Sequence, residues 1–313
     1  MRKPEPLPPS LVGVAFRPDD ARANGIGASR LRKRDLHHPF HSVHVSVAPR
    51  SVRELCAAYR RLLPEGALFS HQTAAALLGV PLPMPLDDEP IHVSVAFPRH
   101  APGGRGVIGH SLGSIAGTVV DGFPICTPAQ VWCQLAGIIG RDELVAAGDH
   151  LIGARNREPL CSHFELAEAS EALPRTKGAR SRDWALPRLR FGSDSRPESL
   201  LRLLLDELGY HGLEVNAPVV VKRGGVVLHP DLSLPNRRVA FEYEGDGHRV
   251  DPRQWHLDIQ RRELLEAEGW RVVRVTARDL FHDRDAFIDR LHAFAPNVAT
   301  DGVSRHIRRE SRG

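Results

Sequence analysis

The spacing of apolar positions changes along the chain, and each change marks an element; the changes are sharpest between residues 195 and 295. A helical pattern opens at Ser195-Arg-Pro-Glu198 and runs to Leu208, with Gly209 beyond it. Extended runs follow at residues 213–221 and 226–234, separated by the turn Arg223-Gly-Gly225, and a third is Arg238-Val-Ala-Phe-Glu-Tyr-Glu-Gly245. Residues 252–268 return to helical spacing after Asp251-Pro252, and Gly269 ends that helix. Trp270-Arg-Val-Val-Arg-Val275 alternates again before a closing helix at 285–294. The order helix, three antiparallel strands, helix, strand, helix predicts a mixed sheet flanked by helices, because a strand returning after a helical crossover lies parallel to its neighbour.

The first half reads as a separate α+β region. Residues 19–36 hold two short helical patterns broken at Asn24-Gly25, the second being the basic stretch Ser29-Arg-Leu-Arg-Lys-Arg34 with Ser29 as its cap. The alternating His41-Ser-Val-His-Val-Ser-Val47 follows as a strand. Together they suggest a reduced winged helix-turn-helix, with a helical cap bearing a solvated basic face as the other reading. Helices are expected at 51–63, 71–79 and 143–152, a strand at 91–97, and a strand turning into a helix at 124–135. The stretch 172–195 is the expected linker. It divides the chain into a domain over 1–171, a second over 196–295 and a basic tail over 296–313. A fragment spanning 192–294 is expected to fold alone.

Composition adds limits. A chain of 313 residues with 42% apolar content has room for two cores, and its net charge of +4 permits nucleic acid as a partner without requiring it. Cys56, Cys126, Cys133 and Cys161 form no CxxC pair, so buried thiols of a cytoplasmic protein are expected. No run of eighteen apolar residues occurs, so a membrane partner is not expected.

The chemistry concentrates in carboxylates. Asp231 follows Pro230, and the third strand presents Glu242 and Glu244 on one face with Phe241 and Tyr243 on the other. The cluster of Asp231, Glu242 and Glu244 can hold a hard divalent metal, and because adjacent acids repel, the Glu242–Glu244 pair is either a metal site or an ion-pair network. Glu198 completes a capping box with Ser195 or adds a ligand from the first turn. The two glycines of Gly245-Asp-Gly-His248 let the chain fold His248 back toward the strand ends, where a neutral imidazole accepts a proton. Arg261 and Arg262 are candidates to clamp a phosphate, Arg262 having Asp258 one turn away as an alternative ion-pair partner. Arg30, Arg32, Lys33 and Arg34 make the N-terminal basic patch. His37, His38, His41 and His44 lack zinc-ligand spacing and read as surface or wing residues.

Two resemblances extend these readings. Pro197-Glu-Ser-Leu-Leu201, Pro230-Asp-Leu232, Val239-Ala-Phe-Glu-Tyr-Glu-Gly245 with His248, Asp258-Ile-Gln-Arg-Arg-Glu-Leu264 and Gly269-Trp-Arg-Val-Val273 resemble the DUF559 family of the PD-(D/E)xK restriction-endonuclease-like superfamily, relatives of the very short patch repair endonucleases. Gly27-Ala-Ser-Arg-Leu-Arg32 with His41-Ser-Val-His44, Ser70-His-Gln-Thr-Ala-Ala-Ala-Leu-Leu-Gly79, His110, Ile125-Cys-Thr-Pro-Ala129 and Leu144-Val-Ala-Ala-Gly-Asp149 resemble the AbiEi-type antitoxin regulators. The first implies DNA phosphodiester hydrolysis or nicking with Mg²⁺ or Mn²⁺ on Asp231 and Glu242. Glu244 stands where the superfamily has lysine, and His248 matches a histidine that serves as base in mismatch-nicking relatives. The second implies a DNA-binding or scaffold-like half with a toxin or other defence partner. A catalytically inactive DNA-binding protein and a type IV toxin–antitoxin-like transcriptional regulator are the alternatives.

Overall fold

The computed structural model describes residues 4–86, 89–154, 157–222, 225–245 and 252–294. The chain divides into two compact units that are not consecutive in sequence. One runs to Leu144 and adds Cys161–Trp184; the other takes Val145–Leu160 and the chain from Ala185 onward. The stretch expected as a linker holds helix Ala179–Ala185 and a 3-10 turn at Leu186–Arg188. No helix among the described residues is long and apolar enough to cross a membrane.

The first unit begins with α1 (Pro18–Ala23), α2 (Ala28–Leu31) and α3 (Val52–Tyr59). After β1 (Leu68–Phe69) come α4 (His71–Leu77), β2 (Ile91–Ala96), β3 (Val107–Leu112), β4 (Gly117–Val120), β5 (Phe123–Cys126) and α5 (Pro128–Leu135). Helix α6 (Arg141–Ile152) contains the division between the units, and α7 (His163–Glu171) and α8 (Ala179–Ala185) follow. The strands form one sheet in the order β3-β2-β1-β5-β4, with β2 parallel to β3 and β1 parallel to β5. Ile91, Val93 and Val95 of β2 are almost completely buried, as their alternation predicted. Gly109 on β3 is obligatory, because a Cβ there would stand 1.8 Å from the Pro102 carbonyl oxygen.

The expected wing does not form. Residues 41–47 contribute only the isolated bridges Phe16↔His44 and His37↔Val45. Helix α2 is four residues long, begins after Gly27 and includes Ser29 rather than being capped by it. Arg32, Lys33 and Arg34 lie exposed on the turn beyond it. A single helical turn is too short to lay a reading face along a major groove.

In the second unit, α9 (Arg196–Glu207) precedes β6 (Glu214–Val215), β7 (Val219–Val221), β8 (Val226–Leu228), β9 (Leu232–Leu234) and β10 (Val239–Glu244). Helix α10 (Pro252–Ala267) crosses to β11 (Arg271–Thr276), followed by α11 (Ala277–Phe281) and α12 (Arg284–Phe294). The sheet order is β11-β10-β9-β6, with β10 and β11 parallel and the others antiparallel. A mixed sheet with helices is what the spacing predicted. The meander is more broken than expected: 213–221 splits into β6 and β7, and 226–234 into β8 and β9. Pro218 and Pro230 interrupt the two runs, and β7 with β8 forms a separate hairpin.

One face of the sheet carries the core of Leu232, Leu234, Val239, Phe241, Val273 and Val275, packed with Leu201, Leu204 and Leu205 of α9 and Phe287 and Leu291 of α12. The other face packs Ala240 and Val272 against Leu265 of α10 and Trp270. The unit also depends on the C-terminal half of α6. Buried Asp149 accepts from Arg202 Nη2 at 2.8 Å and from the Arg190 N–H at 2.7 Å. A fragment beginning at 192 removes Asp149 and leaves Arg202, 7% exposed at its side chain, without that anion.

Candidate functional site

The carboxylates of the second unit are positioned by the β9–β10 ladder. Leu232 pairs with Phe241, Ser233 with Ala240 and Leu234 with Val239, so the same register carried one step further sets Asp231 beside Glu242. A side chain makes that step: the Tyr243 N–H donates to Asp231 Oδ2 at 2.7 Å. Alternation sends Phe241 into the core and Glu242 to the α10 face. There Glu242 Oε1 is buried and makes no hydrogen bond. Arg261 of α10 holds Nε 3.7 Å from that oxygen and donates through Nη2 to the His229 carbonyl.

Burial pushes the Asp231 carboxyl up to about 7, and the Glu198 charge adds to the shift against the opposing Tyr243 N–H and Arg261. Burial raises Glu242 as well; Arg261 opposes this, while Asp231, Asp258 and Glu244 reinforce it. Arg261 is thus the guanidinium that opposes the rise of both Asp231 and Glu242.

The other expected members are placed differently. Glu198 is occupied by its helix start, Oε1 accepting from Ser195 Oγ at 2.8 Å and Oε2 from the Asp194 N–H at 2.9 Å. Burial is the main reason its carboxyl is raised. Glu244 is paired with Arg274 of β11, which stands opposite Glu242 in the parallel register. Asp231, Glu242 and Glu244 therefore do not converge as one three-carboxylate site. His248 lies outside the described residues. Arg262 pairs with Glu266 at 2.8 Å. Arg30 is buried inside its unit, with two guanidinium nitrogens on Asp35 at 3.0 and 2.7 Å and Nε on the Glu5 carbonyl at 2.6 Å. It is a structural cation, and the exposed basic residues are Arg32, Lys33 and Arg34.

A second constellation, in the first unit, had no forecast. His71, His92 and His110 each offer one ligand atom, and the three atoms lie within 4.8 Å of one another, the one such group of potential metal ligands among the described residues. Their rings stack: His71 on His110 with centroids 3.8 Å apart, and His92 on His110 at 5.2 Å. His92 Nδ1 and His110 Nε2 are 3.0 Å apart. Burial drives His71 down to about 3 and His92 to about 4, each depressed further by a neighbouring imidazole, and burial lowers His110 too. All three are neutral at physiological pH.

Comparison with protein-family models and with curated proteins found no match. The chemistry therefore rests on the two constellations themselves.

Sequence reading missed Asp194, Asp258 and Arg274 as electrostatic neighbours of the acids, because each comes from a different element. It passed over the histidine cluster for the same reason. The available signal was that Ser70-His71, Ile91-His92 and Gly109-His110 each put a histidine at the start of, or within, a helix or strand.

Proposed function

We propose that the second unit is a divalent-metal-dependent DNA endonuclease of the PD-(D/E)xK type, with Asp231 and Glu242 as its metal ligands. The observation that carries this reading is Glu242 Oε1, a buried carboxylate oxygen without a hydrogen bond, beside an Asp231 raised by desolvation and by neighbouring charge. A buried anion of this kind needs a compensating partner. Arg261 at 3.7 Å supplies only part of that compensation. Carboxylate oxygens suit a hard cation such as Mg²⁺ or Mn²⁺. Bound there, the ion would supply Lewis-acid stabilisation of the charge that develops on the phosphate.

The chain's own groups divide the remaining work. The Tyr243 N–H fixes the Asp231 carboxylate, and Arg261, which balances Glu242, would be the guanidinium offered to a substrate phosphate oxygen. Arg274 holds Glu244 on the strand, so Glu244 orients the sheet end rather than replacing the superfamily's lysine. Proton transfer falls to His248. A non-cleaving DNA-binding module is the second reading, favoured by the engagement of Glu198 and Glu244 in other contacts.

Calorimetry with Mg²⁺ and Mn²⁺, alongside cleavage assays on single-stranded, duplex, mismatched and branched DNA, tests the proposal. Metal-dependent cleavage should vanish in Asp231→Asn, and His248→Ala should slow it by roughly 10²- to 10⁴-fold while remaining folded. Metal binding equal in wild type and Asp231→Asn would reject the site. Salt-sensitive DNA binding without cleavage on any substrate would favour the second reading.

A further inference from the structure

We propose that His71, His92 and His110 form a binding site for one first-row transition-metal ion, best suited to Zn²⁺, in the first unit. The site is separate in residues and in chemistry from the carboxylates, and it does not rest on the nuclease reading.

Three elements supply the ligands. His92 lies on β2 and His110 on β3, and the parallel register pairs His92 with Ile108 and Ser94 with His110. Both histidines therefore project from the same face of the sheet, two positions apart. His71 enters from the start of α4, which packs against β2. The three ligand atoms fall within 4.8 Å of one another. Because imidazole lone pairs lie in the ring plane, binding one ion requires the rings to turn out of their stack, so loss of the stacking accompanies binding.

His71 is held in place from both sides. Its backbone has φ of +51°, a region few non-glycine residues adopt and one that concentrates at functional positions. Its N–H donates to Gln134 Oε1 at 2.8 Å, and its Nδ1 lies 3.0 Å from Ser70 Oγ, which is itself in a completely buried residue. A hydroxyl on one ring nitrogen selects the tautomer and aims the other nitrogen, the arrangement that tunes metal-ligating histidines. The backbone N–H of His92 likewise donates to Thr73 Oγ1 at 2.7 Å, tying that ligand's strand to the same helix.

The contact between His92 Nδ1 and His110 Nε2 carries one proton between two rings. An ion bound at these atoms takes that proton's place once the donor ring has moved it to its other nitrogen, so both imidazoles stay neutral and no proton is lost. Imidazole donors suit Zn²⁺, Co²⁺, Ni²⁺ and Cu²⁺ and discriminate against Mg²⁺ and Ca²⁺, which prefer oxygen. Three protein ligands leave a fourth tetrahedral position for water or an exogenous donor.

The test uses the full chain, free of any histidine tag and stripped with chelator. Titration with Zn²⁺ should reach one equivalent per chain. Co²⁺ should give the visible absorption of a tetrahedral site with nitrogen ligands, which Zn²⁺ then displaces. His92→Gln and His110→Asn should each weaken binding by more than about 100-fold, and Ser70→Ala by roughly 10-fold through loss of ring orientation. Asp231→Asn should bind Zn²⁺ as wild type does, so failure of this site and failure of the nuclease site are read independently. Substoichiometric Zn²⁺ in wild type, or full binding that survives both histidine substitutions, would overturn the proposal; the wild-type titration and Co²⁺ spectrum decide the matter even if a variant misfolds.

Discussion

Burial acts in the same direction on two sets of side chains of opposite charge type. In the first unit it holds His71 and His92 at about 3 and 4, so the imidazoles are neutral, stack on one another and need no counter-ion. In the second unit it raises Asp231 to about 7 and Glu242 above the usual carboxylate range, so these acids face one another with at least one near its midpoint at neutral pH. Desolvation favours the uncharged form in both cases. The difference lies in what a cation then meets. Neutral imidazoles are already ligands, whereas clustered carboxyls must release protons to become so. The contrast separates a site for a borderline ion from a site for a hard one.

The comparison breaks most visibly at the metals. Glu242→Gln should lower Mg²⁺- or Mn²⁺-dependent turnover at least 100-fold while leaving Zn²⁺ affinity unchanged, and His92→Gln should do the reverse. Mg²⁺ binding near pH 7 should release protons, seen as an enthalpy that varies with buffer ionisation, and Zn²⁺ binding should not. One variant that removes both metal classes would show that a single site accounts for them.

Asp149 sharpens the carboxylate side of the contrast, being a buried acid with a full partner. Asp149→Asn leaves Arg202 buried without its anion and should cost about 3–5 kcal/mol by chemical denaturation. Glu242→Gln, which removes a carboxylate whose Oε1 lacks a hydrogen bond, should be neutral or stabilising at pH 8 without added metal. Equal losses in the two variants would mean that Glu242 is compensated by its surroundings after all. A fragment over 192–294 should reproduce the Asp149→Asn deficit.

Opposite pH dependences follow from the same shifts. A histidine whose folded pKa is depressed leaves the unfolded chain binding more protons, so its contribution is complete above about 6.5 and is lost as pH falls toward 4. Asp231, raised to about 7 from 3.8, binds more protons when folded, so its contribution is present at low pH and is lost as pH rises between those values. Each fully shifted group changes stability by up to about 1.4 kcal/mol per pH unit within its window. Unfolding followed by probes in each unit should show the first weakening in acid and the second weakening toward neutrality. His92→Gln should flatten the former slope and Asp231→Asn the latter; a slope unchanged in its variant would place the titration elsewhere.

The smallest effect concerns the basic stretch near the start of the chain. Arg30→Ala removes a buried bidentate pair with Asp35 and should destabilise its unit by about 1–3 kcal/mol, whereas Arg32→Ala should stay within about 0.5 kcal/mol. If the chain binds DNA through the exposed residues, Arg32→Ala should instead reduce the salt dependence by about one phosphate contact. An indistinguishable pair would return Arg30 to the surface.

Local pattern was enough to read helices α9 and α10, strands β2, β10 and β11, and the mixed character of the second sheet, since period and turn residues depend only on neighbours in sequence. It also marked Asp231, Glu242 and Glu244 as one candidate cluster, while the specific pairing of Asp231 with Glu242 came from the resemblance to the PD-(D/E)xK proteins. The limits of that reading were equally physical. Arg274 reaches Glu244 only through a parallel crossover, and Asp149 meets Arg202 only because residues 145–160 pack with the second unit. Neither distance is encoded in local spacing. The wing at 41–47 failed for a related reason: alternation signals extended backbone, but a strand requires a partner, and these residues find only two isolated bridges.

What the sequence alone determined was the more strongly patterned elements, α9, α10, β2, β10 and β11 among them, and the identity of the acids, because both follow from hydrophobic period, turn chemistry and adjacent charge. What only the tertiary structure decided was which acids keep a partner and which do not, and that His71, His92 and His110 meet at all. The three histidines are scattered across a helix start and two strands, and the sheet register that aligns them is set by packing of the whole unit. Burial then fixes their protonation, a property that no single residue carries before the chain has folded around it.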